Sequence, residues 1–137
     1  PDVEAFARLP WVTLGSDEAA PAIEGPFLET GNHPRAFGNV ARFLGHYVRD
    51  RQVDTLEGAV HRLSGLPAQR LKLADRGRLA PGMAADVVLF DPARISDPAT
   101  FARPQQYATG VSAVWVNGVQ VLENGEPTGR PAGRFLK

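Results

Sequence analysis

The sequence contains no cysteine, only one methionine and no long apolar run. The absence of cysteine excludes disulfide bonds and thiolate metal sites within the chain. Its apolar runs are short, such as residues 87–90, whereas a transmembrane helix needs roughly 20 residues, so we expect no membrane partner. Fifteen basic residues balance 15 acidic residues. This neutrality gives no reason to expect a nucleic-acid partner.

The chain begins PDVEAF, without an initiator methionine or the basic and apolar pattern of a signal peptide. A processed product and the rear portion of a longer protein would both begin in this way. Its 137 residues suffice for one domain. The expected location is the cytoplasm.

The first part of the chain has the pattern of an α/β fold. Residues 10–14 are apolar and bounded by breakers, which predicts a buried strand. Residues 18–36 then predict a long loop, and a loop of that length is usually functional or disordered.

Helices are predicted after this loop. Residues 39–51 have Asn39 as the N-cap and place on one helical face the apolar side chains Val40, Phe43, Leu44, Tyr47 and Val48. Residues 54–66 begin with a capping box of Asp54 and Glu57 and have an apolar stripe of Leu56, Ala59, Val60 and Leu63. Pro67 suits the first position of a short third helix.

The pattern changes from helical to β after residue 76. Residues 87–90 predict a buried strand, and residues 111–126 predict a hairpin whose turn is Asn117-Gly118. A second reversal is predicted at Asn124-Gly125. At most three strands are expected, which is too few to close a sandwich. Either other strands complete this sheet or the chain aggregates through its unpaired edges.

Asp17 is the first candidate site residue. It follows the apolar segment WVTLGS, and in α/β folds reactive groups lie where strands end. A carboxylate there can bind a divalent metal or transfer a proton. It can equally cap the turn that follows, and both interpretations stay open.

Arg35 is the second candidate. Pro34 is predicted to hold the HPR segment extended, which would present a guanidinium that can bind a substrate carboxylate through two hydrogen bonds. The alternative is a surface ion pair with Glu29 or Asp50. His33 could line the same pocket, whereas the other two histidines, His46 and His61, are predicted to be structural or solvent-facing.

Several segments taken together resemble one family: GSD, HPRAFG, RFLGHYVRD, AVHRLSGLPAQRLKLADRGRLAPGMAADVVLFDP, ATFARPQQYATGV and VWVNGVQVLENGEPTGRPAGR. They look like the C-terminal third of the N-acyl-D-amino-acid deacylases, or D-aminoacylases, of the amidohydrolase superfamily. The resemblance covers nearly the whole chain in order. HPR and TGRPAG are its most family-specific pieces.

The resemblance implies a fold that is incomplete without an N-terminal part. Such enzymes join a metal-dependent (β/α)8 barrel to a small β-sandwich built from both ends of the chain. Residues 1–76 would be the end of the barrel, including its eighth strand, and residues 77–124 the C-terminal strands of the sandwich. Residues 125–137 would form a C-terminal tail. The partner of this chain would then be the N-terminal remainder of the same enzyme.

The resemblance also implies a reaction, the zinc-dependent hydrolysis of N-acyl-D-amino acids to a carboxylate and a D-amino acid. Asp17 matches the family's metal-site aspartate, which acts as general base and acid. Arg35 matches the arginine that binds the carboxylate of the small-molecule substrate. The other zinc ligands of the family lie on earlier strands, so this chain alone is expected to be inactive.

Two other functions stay open on the sequence. One is hydrolysis of cyclic amides by an enzyme of the dihydroorotase or hydantoinase type, and the other is a non-catalytic β-rich interaction module. The loop EAAPAIEGPFLETGN is longer than in the D-aminoacylases. The resemblance therefore does not carry over the family's preference for particular amino acids.

Overall fold

The computed structural model describes residues 2–19, 22–26 and 32–136. Helices precede the strands along the chain, whereas the sequence predicted a strand at residues 10–14 ahead of the first helix. In chain order the elements are α1 Asp2–Ala7, α2 Arg35–Arg42, a π-helix Phe43–Asp50, α3 Leu56–Leu63, α4 Gly65–Arg70, β1 Val87–Phe90, β2 Val111–Val116, β3 Val119–Glu123 and β4 Glu126–Pro127. Within the described ranges, no helix has the length and apolar character required to span a bilayer.

Helix α2 begins at Arg35, four residues before the predicted N-cap Asn39. Pro34 is the N-cap, and its φ of −51° and ψ of −29° are already helical. The fixed φ of proline suits the start of a helix. The prediction of an extended HPR segment is therefore wrong, and Arg35 is the first residue of a helix.

Helix α2 continues directly into the π-helix. The wider winding is visible at its end, where Arg51 N donates to His46 O at 3.0 Å. A Cβ on Gly45 would lie 2.4 Å from Ile95 O, so glycine is needed for the close approach of these two segments. The helical pair is thereby fixed against the chain that leads from β1 to β2.

The next two helices are also shifted by a few residues from their predicted bounds. Thr55, not Asp54, is the N-cap of α3, and Gly58 N donates to Thr55 Oγ1 at 3.0 Å. Threonine is one of the preferred N-cap residues, and its side-chain oxygen satisfies a free amide of the first turn. Helix α4 begins at Gly65, before Pro67.

Residues 10–14 do not form a β-strand among the described residues. Residues 12–16 keep the alternation of half-buried and exposed positions that a strand shows, but no neighbouring segment forms a ladder with them. Trp11 is 63% exposed rather than buried. The prediction is wrong for this chain because a strand requires a hydrogen-bonded neighbour, which periodicity cannot supply.

The sheet is antiparallel with the strand order β1-β2-β3-β4, one strand more than predicted. Both predicted turns are confirmed. Asn117 and Gly118 have φ values of 50° and 80°, and Asn124 and Gly125 have values of 52° and 86°. Such paired positive φ values define the type I′ turn that matches the twist of a hairpin.

One hydrophobic core joins the helices to the β1–β2 connection. Its buried members are Ala7, Ala41, Phe43, Leu44, Val48, Val53, Ala59 and Ile95. Phe90 and Val111 of the sheet pack against this cluster. The predicted apolar stripe of the first long helix therefore forms the centre of the core, although Val40 at its start is half-exposed.

A polar network ties the loop before β1 to the hairpin turn and the C-terminal residues. Arg76 Nη2 donates to Asn117 Oδ1 at 2.6 Å, and its Nη1 donates to Asp86. Asn117 N donates to Asp86 Oδ1 at 2.7 Å, and Asn117 Nδ2 donates to Ala132 O at 2.7 Å. Burial raises the pKa of Asp86, but the hydrogen bonds from Asn117 and Arg76 outweigh it and leave the pKa below its ordinary value.

Asp86→Asn is expected to destabilise the protein by about 1 kcal/mol at neutral pH, because hydrogen bonds to a partly exposed carboxylate are screened. A lowered pKa means that the stabilisation is present above the unfolded pKa of about 3.9 and is lost as the pH falls through the folded pKa. Urea unfolding of wild type and variant should therefore converge towards acidic pH. An equal difference at pH 7 and pH 3 would contradict this role of Asp86.

Candidate active site

Asp17 lies on the surface at the end of the segment of residues 12–17, whose first five residues alternate between half-buried and exposed. Its side chain is 93% exposed, and its φ is 51°. Left-handed backbone is uncommon for residues other than glycine, although aspartate tolerates it better than most. The segment therefore turns sharply at Asp17 and presents the carboxylate to solvent, not to the apolar core.

Arg35 contacts Asp17 directly. Its Nη2 donates to the backbone oxygen of Asp17 at 3.0 Å and to Asp17 Oδ2 at 3.3 Å. Its Nε lies 3.8 Å from Glu18 Oε1, which is too long for a hydrogen bond but close enough for an ion pair. The structure thus brings the two predicted site residues together across the loop that separates them in sequence.

The structure tests one of the two surface pairs that the sequence suggested for Arg35, the pair with Asp50. Asp50 is bound by Arg49 Nε at 2.8 Å instead. Glu29 lies outside the described residues, so that suggestion is not tested. The ion pair of Arg35 with Glu18, the residue after Asp17, was not predicted. When two carboxylates are adjacent in a loop, the sequence does not indicate which of them turns inward.

His33 lies beside Arg35, although it is not among the residues that line the cleft next to Arg35. Arg35 N donates to His33 Nδ1 at 3.1 Å, which places the imidazole at the start of α2. The ring of Phe101 packs edge-on against His33 with centroids 4.9 Å apart. The chain between β1 and β2 therefore reaches the neighbourhood of the candidate site.

A cleft of about 760 Å³ opens beside these residues. Ser16 and Arg35 line it on the side of the candidate site. The rest is lined mostly by apolar residues of α2, α3 and the sheet, together with the polar residues Asn39, Ser64, Arg78 and Asp86. The cleft is large enough for a small organic ligand.

Arg62 is a buried cation that the sequence analysis missed. Its side chain is only 5% exposed. The prediction placed Val60 on the apolar face of α3, but Val60 is 41% exposed, and the buried residues of that helix are Ala59 and Arg62. The spacing of three residues between Leu56, Ala59 and Arg62 was the available signal.

The described residues fit part of a metal site, not a whole one. The Asp17 carboxylate is an oxygen ligand of a kind that zinc accepts, and it is open to solvent. Across residues 2–19, 22–26 and 32–136, no three His, Cys, Asp or Glu side chains are grouped so that they could hold a metal ion. The described residues therefore offer Asp17 as one candidate ligand and do not form a complete metal site.

Comparison with known proteins identifies the family. The model of the amidohydrolase family matches residues 2–122. The chain belongs to the amidohydrolase family. The resemblance to N-acyl-D-amino-acid deacylases that the sequence segments indicated is confirmed, because the curated relatives of this amidohydrolase chain are D-aminoacylase and related deacylases.

Three of those relatives come from Alcaligenes xylosoxydans xylosoxydans. The D-aminoacylase is 43% identical over 136 residues, which is 99% of this chain and 27% of the relative. The N-acyl-D-aspartate deacylase is 43% identical over 128 residues, or 93% and 24% of the two chains. The N-acyl-D-glutamate deacylase is 47% identical over 105 residues, or 77% and 21%. The amidohydrolase chain thus spans about a quarter of the length of the curated relatives it matches.

Solved structures give the same result. One D-aminoacylase structure, from work on the role of its binuclear metal centre, superposes with a TM-score of 0.87 at 42% identity. The superposed region covers 98% of this amidohydrolase chain and 27% of the D-aminoacylase chain. The N-acyl-D-glutamate deacylase of Bordetella bronchiseptica, with zinc and a phosphonate mimic of the tetrahedral intermediate, has a TM-score of 0.78 at 38% identity. Here the coverage is 92% of this chain and 26% of that one.

Proposed function

We propose that this chain is the C-terminal part of a zinc-dependent deacylase that hydrolyses N-acyl-D-amino acids to a carboxylate and a D-amino acid. In this proposal residues 1–76 end the catalytic (β/α)8 barrel, residues 77–124 belong to the β-sandwich, and residues 125–137 form the tail. The names of the relatives favour acyclic N-acyl-D-amino acids over the cyclic amides considered from the sequence.

One observation carries the proposal for the site. An exposed carboxylate and a guanidinium, 18 residues apart in sequence, meet at 3.3 Å beside an open cleft. A hydrolase of N-acyl amino acids needs these two groups, one to move a proton and one to hold the substrate carboxylate. Family membership supports this use over simple turn capping.

Asp17 is the proposed general base and acid, and one zinc ligand. Bound zinc would supply Lewis-acid polarisation of the amide carbonyl. The Asp17 carboxylate would take the proton from the attacking water and pass it to the leaving amine nitrogen, as a group of suitable basicity does in general acid–base catalysis. Because Asp17 is exposed at the end of the segment of residues 12–17, its carboxylate is accessible both to the attacking water and to the leaving amine.

Arg35 is the proposed ligand of the substrate carboxylate. It begins α2, and the positive end of a helix favours an anion there. Its Nε has no hydrogen-bond partner among the described residues, although it is shielded from solvent. A carboxylate bound side-on would satisfy Nε and Nη2 together.

The ion pair between Arg35 and Asp17 does not prevent Arg35 from binding a substrate carboxylate. The Nη2–Oδ2 distance of 3.3 Å is long for a charge-assisted hydrogen bond, and Asp17 is almost fully exposed. Exposed ion pairs contribute about 0–1 kcal/mol. Binding of Asp17 to zinc and of Arg35 to substrate would therefore replace a weak contact with two stronger ones.

The proposed partner of this chain is the N-terminal remainder of the same enzyme. Large apolar side chains stand exposed on α1 and on β1, among them Phe6 at 62% and Leu89 at 56%. Apolar surface of this kind marks a place where another segment packs. The strand-like segment at residues 12–16 has no paired neighbour among the described residues, so it too is a place where another segment would pack.

The test is a hydrolysis assay on the complete protein that carries this chain, with N-acetyl derivatives of several D-amino acids and their L-enantiomers. We expect zinc-dependent hydrolysis of the D-substrates, loss of activity with a chelator and recovery with added zinc. The 137-residue chain alone should show no turnover. A zinc-loaded complete protein that hydrolysed cyclic amides but no N-acyl-D-amino acid would contradict the proposal.

A further inference from the structure

We infer that Arg62 is a positioning residue for Asp17, a role that rests on the proposed function of Asp17. Arg62 lies on α3, and its guanidinium reaches the segment that leads to Asp17. Its Nε donates to Val12 O at 2.8 Å, and its Nη1 donates to Ala7 O at 2.5 Å. In return, Thr13 Oγ1 donates to Arg62 O at 2.5 Å.

The guanidinium is held in place from the other side as well. Arg62 Nη1 donates to Asp54 Oδ2 at 2.9 Å, and the guanidinium carbon lies 5.2 Å from the centroid of the Phe43 ring. A cation this deeply buried needs such a partner and such hydrogen bonds, because an unpaired buried charge costs several kcal/mol. Arg62 is therefore a fixed point, whereas a solvated arginine would be mobile.

Two arginines hold the segment from Val12 to Asp17. Arg62 binds its beginning, and Arg35 binds the backbone oxygen at its end. If Arg35 turns to a substrate carboxylate, its contact with Asp17 weakens at the moment when the Asp17 carboxylate must stay in place. Arg62, which does not line the cleft beside Arg35, then remains to fix the segment.

Only arginine has the geometry for this task. Its planar fork binds two backbone carbonyls and one carboxylate at once, whereas a lysine ammonium is a single point of charge. Arg62→Lys keeps the cation beside Asp54 but loses part of the fork. A displacement of about 1 Å at a catalytic group can cost about 100-fold in rate.

The test uses Arg62→Lys in the complete zinc-loaded enzyme. We expect kcat to fall by at least about 10-fold with KM changed by less than about threefold, because Arg35 is untouched. Faster hydrogen exchange in the peptide covering residues 12–17 gives a readout that does not depend on activity. Should Arg62→Lys fold poorly, Thr13→Val removes only the hydroxyl on the Arg62 carbonyl and should lower kcat by about threefold.

Arg49→Lys is the matched control. Arg49 Nη1 also donates to backbone carbonyls, those of Pro92, Ala93 and Ile95, and its guanidinium also pairs with an aspartate. It holds a segment without a proposed site residue, so kcat should stay at the wild-type value. An Arg62→Lys enzyme with wild-type kcat and unchanged exchange at residues 12–17 would overturn this role. An unaltered enzyme without deacylase activity would instead contradict the proposed function.

Discussion

Asp17→Asn in the complete enzyme is expected to lower kcat for an N-acyl-D-amino acid by roughly 10²–10⁴-fold, the usual contribution of a general acid–base group. Asparagine keeps the shape of the side chain but cannot accept the proton from water or return it to the amine. Because Arg35 remains in place, KM should change much less. Steady-state kinetics with zinc content measured on each preparation separates loss of catalysis from loss of metal.

Asp50→Asn provides the comparison for that experiment. Asp50 is also an exposed carboxylate that pairs with an arginine, but it lies at the end of the π-helix and is not part of the site. The kcat of the Asp50→Asn enzyme should match that of the wild type. If Asp17→Asn turned over at a similar rate, Asp17 would be a turn-forming residue with no part in proton transfer.

Arg35→Ala is expected to raise KM for N-acyl-D-amino acids by about 10- to 100-fold, since a hydrogen bond to a charged group contributes about 1.5–3 kcal/mol and each 1.4 kcal/mol is tenfold. The effect on kcat should be smaller, because Arg35 holds the substrate away from the reacting amide. An N-acyl amine that lacks the carboxylate should bind the wild type and the variant equally well.

Arg42→Ala tests whether loss of any arginine from α2 has the same effect. Arg42 lies in the last turn of the same helix and is exposed. Its loss should leave KM unchanged. The role of Arg35 would be wrong if its variant bound N-acyl-D-amino acids as well as the Arg42 variant did.

The elements predicted best were those whose signals are local. The hairpin turns follow from Asn-Gly pairs, which adopt the positive φ values that a type I′ turn requires. The core positions Phe43, Leu44 and Val48 follow from helical spacing. Neither signal depends on residues far away in the chain, and both predictions are confirmed.

The features that were predicted wrongly depend on distant contacts. Residues 10–14 have a strand's periodicity, but a strand also needs a neighbour, and none is present among the described residues. The buried position of Arg62 was indicated by the spacing within α3, but its partners are the carbonyls of Ala7 and Val12, about 50 residues earlier, which that spacing cannot identify. A charged residue at a core-facing position was the signal that should have drawn attention.

For the candidate site, the sequence predicted which residue types belong together but not how they meet. Asp17 and Arg35 were named from a strand end and from the HPR segment. Their direct contact depends on the start of α2 at Arg35 and on the left-handed turn at Asp17. Both features depend on the backbone conformation of single residues, and a sequence predicts such conformations, and the exact ends of helices, least reliably.

The most direct test of the account is a crystal structure of the complete enzyme with zinc and a phosphonate analogue of an N-acyl-D-amino acid. We predict that Asp17 will lie within hydrogen-bond distance of the phosphonate or bound to zinc. Arg35 should have left Asp17 to bind the carboxylate of the analogue. A structure in which Asp17 and Arg35 remain paired, while other side chains hold the analogue, would contradict the account.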